Sequence, residues 1–80
     1  MKKPTIGIVL PCYNEELVLN ETSNKLIEII NDLISKALIS EKSFAVFVDD
    51  GSKDNTWKLI EEKSANYFCL KGLKLAENGG

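Results

Sequence analysis

The chain has no histidine and, because all ten of its basic residues are lysines, no arginine either. Without a guanidinium fork there is no bidentate grip on phosphate, and the lysines are scattered, Lys2 and Lys3 being the one adjacent pair. With 12 acidic residues and a formal net charge of -2, no basic stripe forms, and nucleic acid is not an expected partner. The two cysteines, Cys12 and Cys69, are too few for a secreted disulfide framework and lack the histidine company and spacing of a zinc site. Both are expected to be reduced residues in or near the core. Long apolar runs are also missing. The richest, LIEIINDLISKALI over 26–39, is interrupted by Glu28, Asn31, Asp32 and Lys36, well short of the ~20 apolar residues that a membrane span requires. The apolar stretch after Lys2 and Lys3 ends at Pro11 with no small-residue cleavage site, so a signal peptide is not expected and a cytoplasmic setting is. Neither G-x-G-x-x-G nor G-x-x-x-x-G-K-[ST] occurs, which removes the two commonest glycine-rich phosphate loops.

What the chain does contain is an ordinary globular composition, 44% hydrophobic and 28% charged over 80 residues. A chain near this size forms one domain and buries only about 60–65% of its extended surface, so its stability is marginal without help. Residues 5–10 read as a short, continuously apolar strand covered on both faces. Pro11 suits a strand end, and Asn14 can cap a helix whose first turn carries Glu15 and Glu16 against the exposed amides. Apolar residues then recur at three- and four-residue intervals, predicting one amphipathic helix over 15–39. A polar turn at 40–43 leads to a second covered strand, FAVFV at 44–48, and then to DDGSKDNT at 49–56, a turn-rich segment. Asp54 or Asn55 can cap a second helix running through Ala65, and a weaker third strand lies between Tyr67 and Leu75, divided by Lys71 and Gly72. The order β-α-β-α-β with helices of this length predicts right-handed crossovers and an α/β, three-layer fold around a parallel sheet. Three strands are few for a doubly wound sheet, so residues 1–80 are expected to be a single incomplete domain, the first part of a larger fold. Its exposed parallel edge invites association with another chain or copy.

All strands of a parallel sheet point their C-terminal ends to one edge, where open α/β folds bind ligands. The segments after the first two strands, from Pro11 and from Asp49, should therefore meet. Of the adjacent carboxylates, one can be tied back to amides near Gly51 and Ser52 while the other accepts hydrogen bonds from a base or a sugar hydroxyl. A merely solvated turn is the plain alternative, more so for Asp49 than for Asp50. Tyr13 offers a ring for stacking a nucleobase, worth ~1–3 kcal/mol in nucleic-acid systems, or simply packs on the helix start. Glu15 can accept from ribose hydroxyls or interact with its own helix terminus. With no arginine to neutralise a diphosphate, a divalent ion is the expected means.

PCYNEE at 11–16, VDDGSKDNT at 48–56 and LKLAEN at 73–78 together resemble the N-terminal part of family 2 glycosyltransferases of the GT-A fold. The branch of dolichyl-phosphate mannose synthases and bacterial polyprenyl-phosphate sugar transferases is the nearest in appearance. The resemblance covers essentially the whole chain but about the first third of such a catalytic domain. It implies that Pro11, Tyr13 and Glu15 form the first nucleotide-binding segment, that Val48 lies beside the base, and that Asp50 recognises base or ribose while Asp49 supports the loop. It implies a UDP- or GDP-sugar donor, an acceptor that in this branch can be a lipid phosphate, and Mg²⁺ or Mn²⁺ held by a later acidic motif that these 80 residues do not include. A lipid acceptor is compatible with membrane association of the parent at the cytoplasmic face. Asn78 and Gly79 resemble the start of a loop preceding the metal motif, whereas Glu77 stands where a basic residue is common. Two readings from other classes compete: a non-catalytic nucleotide-binding or assembly module, and a phosphoacceptor signalling domain. In the latter, acidic residues would follow the first strand, where this chain has Pro11.

Overall fold

The computed structural model describes residues 2–75, as β1 (Gly7–Cys12), α1 (Glu16–Ser35), β2 (Phe44–Asp49), α2 (Thr56–Asn66) and β3 (Leu70–Lys74). The strands form one parallel sheet in the order β1-β2-β3, with Gly7 opposite Phe44, Cys12 opposite Asp49 and Asp49 opposite Lys74. The expected α/β order and parallel sheet are present. The resemblance at Glu77, Asn78 and Gly79 lies outside the described residues.

The strand order dictates where the helices go. Each crossover advances by one strand in the same direction, and a right-handed connection then places both helices on the same face. That face carries Ile8, Leu10, Cys12, Ala45, Phe47 and Leu70, which pack with Leu19 and Ile30 of α1 and Ile60 of α2 into a single cluster. The described residues therefore supply two of the three expected layers. On the other face Val9 is 67% and Leu73 52% exposed, so the expectation that the first two strands are covered on both sides is not met among these residues. An unbroken apolar strand implies two covered faces only when elements exist to cover both. Lys71 partly wets this face, its ammonium 5.8 Å from the centroid of the Phe44 ring.

β1 opens at Gly7 rather than at residue 5, and three further differences from the boundaries read in the sequence have a clear physical cause. β1 runs through Pro11 to Cys12, because Pro11 sits on an outer strand of the described sheet, where a missing amide proton is tolerated. Asn14 does not cap α1. It stands at φ 50°, and the N-cap position is Glu15, whose side chain makes no capping bond. α1 ends at Ser35 rather than near Ile39, since Ala37 turns left-handed at φ 59°. There the Ala37 amide donates to the Ile34 carbonyl at 2.9 Å and the Leu38 amide to the Leu33 carbonyl at 3.0 Å, closing a Schellman motif in which alanine occupies the place glycine favours. Ala37→Gly should therefore raise the stability of the chain by about 0.5–1 kcal/mol in urea denaturation, because relief of left-handed strain outweighs the added freedom of the unfolded chain.

Gly72 does not divide the third strand. It lies inside β3 opposite Phe47, on the helix-facing side, and its bare Cα lets α2 settle directly onto the sheet.

Candidate functional site

The candidate site is built where β1 and β2 end side by side. Cys12 and Asp49 are register partners, so the loops proper begin at Tyr13 and Asp50, two residues later than Pro11 and one later than Asp49. The Asp50 amide donates to the Cys12 carbonyl at 3.1 Å, which carries the pairing past the last strand residues. Tyr13 is 54% exposed, and Asp50 is exposed as well.

Side chains then tie the two loops together. The Asn14 amide donates to Ser52 Oγ at 2.9 Å, and Asn14 Oδ1 accepts from the Lys53 amide at 2.8 Å. The Glu15 amide donates to Thr56 Oγ1 at 2.8 Å, and the Glu16 amide to Asp54 Oδ2 at 3.3 Å. In return the Glu16 carboxylate accepts from the amide and the side-chain Nδ2 of Asn55, at 3.4 and 3.1 Å. Amides at the start of α1, which have no partner inside a helix, are thus satisfied by the loop before α2 rather than by their own neighbours. Asp54 also accepts from the amide of Thr56 at 2.9 Å and from its hydroxyl, so it stabilises the entry to α2, where Asn55 holds the N-cap position without a side-chain bond.

The adjacent acids have opposite environments. Asp49 is fully buried; its Oδ1 accepts from the Ser52 amide at 3.1 Å and from the Ser52 hydroxyl, while Oδ2 has no partner among the described residues. Gly51 follows at φ 79°, a left-handed turn that bends the chain back so that Ser52 can reach Asp49. Asp50 projects from the same turn into solvent. This is the division of labour that paired carboxylates allow, one holding the loop and the other free to accept from a ligand.

Register and strand alternation place Pro11, Val48 and Leu73 in one row on the helix-free face, directly below the loop that carries Tyr13. Glu15 is half-buried at the N-cap position of α1. A pocket of about 160 Å³ takes in Pro11 and Glu15 but neither Tyr13 nor Asp50, lying against Val18, Leu19 and Thr22 of α1 and not spanning the two loops. Of the expected site residues, Pro11, Tyr13, Val48 and Asp50 thus share the sheet edge and its open face, and Glu15 is linked to them through the loop.

Two groups are electrostatically tuned. The hydroxyl of Thr56, with help from the Thr56 and Glu16 amides, holds the exposed Asp54 carboxyl below its ordinary value of 3.8. A depressed carboxylate stabilises the fold above its unfolded pKa and loses that contribution only as the pH falls through the lowered folded value, so the clasp is intact at neutral pH. Burial pushes the Cys12 thiol up, and the charges of Glu15 and Asp49 add to the effect, so Cys12 is a protonated core residue rather than a nucleophile.

Among the described residues no three cysteine or carboxylate side chains come together as a cation cluster. Among the same residues no helix is long and apolar enough to cross a membrane. The cross-loop roles of Asn14, Glu16, Ser52, Asp54 and Thr56 escaped the sequence reading. Their residue types signalled local caps, but each also makes a bond to a partner about forty positions away.

The family model for Glycosyl transferase family 2 matches residues 7–80. An uncharacterized glycosyltransferase of Bacillus subtilis (strain 168), YkoT, is 53% identical over 78 residues, covering 98% of this chain and 23% of that protein. A second from the same organism, YkcC, is 40% identical over 74 residues, covering 92% and 21%. A dolichyl-phosphate beta-glucosyltransferase of Dictyostelium discoideum is 31% identical over 80 residues, covering 94% and 23%. The chain therefore spans less than a quarter of the length of these curated relatives. No solved structure matches it. With both loop segments inside the matched span and the strands parallel beneath them, the chain belongs to glycosyl transferase family 2.

Proposed function

We propose that this chain forms the nucleoside half of the donor site of an inverting glycosyltransferase that moves a sugar from a UDP- or GDP-sugar to an acceptor. Tyr13 stacks on the base, with Pro11 and Val48 as the apolar floor beside it. Asp50 accepts from the base edge or ribose, and Glu15 accepts from ribose hydroxyls. In the parent reaction an acceptor oxygen attacks the anomeric carbon and the nucleoside diphosphate departs. The name of the Dictyostelium relative supports a polyprenyl phosphate as acceptor class. The divalent ion expected at the diphosphate takes its ligands from outside residues 1–80. One observation carries this reading: Tyr13 and Asp50 stand exposed at the ends of paired parallel strands, on loops that are hydrogen-bonded to each other.

The test is a calorimetric titration of UDP and GDP, with and without Mg²⁺, into the purified chain and two variants. Tyr13→Ala should weaken binding about tenfold, the middle of the range for loss of a base stack. Asp50→Ala should weaken it by about as much, through loss of a charged acceptor, and leave the melting temperature unchanged. If neither nucleotide binds the unmodified chain, the reading is wrong. The exposed apolar sheet face favours a second reading, a nucleotide-binding module that completes its sheet against another polypeptide and does not turn over. Transfer of a radiolabelled sugar, assayed beside the titration, separates the two.

A further inference from the structure

Thr56 opens α2, yet its hydroxyl serves α1. The side chain is fully buried, its Oγ1 accepts the Glu15 amide at 2.8 Å, and its proton goes to Asp54 Oδ1. A hydroxyl has a single proton to donate; with that proton committed to a carboxylate, its oxygen faces Glu15 as an acceptor only. Threonine is branched at Cβ and stiff at χ1, so the oxygen is presented from a fixed position. On the other side of the contact, Asn14 sits at φ 50° between Tyr13 and Glu15, in the left-handed region where asparagine is enriched. The loop is held there by Ser52 and Lys53 on one side and by Thr56 on the other. The result is a chain of contacts from α2 through Thr56 to the backbone of Glu15, whose carboxylate is assigned to the nucleoside.

We propose that Thr56 is a positioning residue for nucleoside recognition: through the Glu15 amide it sets where the Glu15 carboxylate stands relative to Tyr13 and Asp50. The inference rests on the nucleoside reading above. Thr56 itself is buried and touches no ligand, and its effect passes through Glu15.

Thr56→Val keeps the shape and removes the hydroxyl, whereas Thr56→Ser keeps the hydroxyl. Affinity for UDP and GDP is measured by titration, and amide hydrogen exchange at Glu15 is followed by NMR, in each variant and in a Glu15→Ala background. Thr56→Val should bind the preferred nucleotide about tenfold more weakly and exchange the Glu15 amide faster, with affinity restored to within about twofold by Thr56→Ser. In the Glu15→Ala background the same valine should cost less than about twofold, because residues acting through one another are not additive. Should Thr56→Val fail to fold, Asp54→Asn on the exposed side of the contact replaces it. Loss of the charge-assisted bond should then weaken binding about threefold. Unchanged affinity alongside faster Glu15 exchange, or a full tenfold loss persisting without the Glu15 carboxylate, overturns the positioning role and leaves the nucleoside reading standing. Absence of UDP and GDP binding to the unmodified chain overturns both.

Discussion

Gly72→Val should destabilise the chain by about 3 kcal/mol in urea denaturation, the top of the range for overpacking a tight interior. A Cβ added at this position would run into Cγ2 of Ile60 and lie 3.3 Å from the Trp57 ring, and valine adds two further carbons in the same direction. Ile60 is fully buried in the central cluster and its methyl is attached directly to a branched Cβ, so it has no free rotation by which to withdraw. The strand preference of valine spans only ~1 kcal/mol and cannot offset the clash. For 80 residues a total stability of about 4–12 kcal/mol is typical, so the loss is a large fraction of the whole. The cause is checked by combining the substitution with Ile60→Ala. Valine should then fill part of the space that Ile60 vacates, and the double variant should be more stable than the sum of the two single changes implies. Strict additivity would mean that α2 does not rest on Gly72.

Asp49→Ala should cost about 2 kcal/mol and loosen the site loop, whereas its neighbour Asp50→Ala should leave stability untouched. Asp49 Oδ1 holds both the amide and the hydroxyl of Ser52, and removing it leaves those donors without their acceptor, a loss of about 1–3 kcal/mol. Ser52 Oγ in turn accepts the Asn14 amide, so the disturbance crosses to the loop that carries Tyr13. Asp49→Asn distinguishes the acceptor from the charge. The amide oxygen can replace Oδ1, and the change removes a carboxylate whose Oδ2 is buried without a partner among the described residues, a costly placement for a charge. We therefore expect the asparagine variant to lose less than about 1 kcal/mol, and urea denaturation of the two variants side by side is the check. Equal losses for alanine and asparagine would show that the charge, rather than the acceptor, holds the loop.

The two acids also show how far a linear reading reaches. That one carboxylate of the pair anchors the loop was legible, because a strand end followed by glycine and serine ties an acid back to nearby amides; its bonds to Ser52 show that the anchor is Asp49. Tyr13 and Asp50 were legible as neighbours in space because apolar strands joined by long helices pair in parallel. The boundary errors were all of one kind. Pro11 reads as a stop unless its strand is known to lie on the outside of the sheet, and Ala37 reads as helix unless the left-handed turn after Ser35 is seen. Asn14 looks like a cap from its position before two glutamates, yet its side chain is taken by Lys53.

Local preference and apolar spacing were enough for the element order, the parallel pairing and the edge at which the two loops meet, since each depends on residues close in sequence or on rules of connection. Which face of the sheet is left open, why Gly72 must be glycine, and how Thr56 and Asp54 brace the first turn of α1 depended on the packed molecule. Those features arise from residues distant in sequence, Gly72 and Ile60 twelve positions apart and Glu15 and Thr56 forty-one, meeting at one distance and one angle, and a pattern of residue types carries no record of such a meeting until the strands have paired and the helices have come down on the same side.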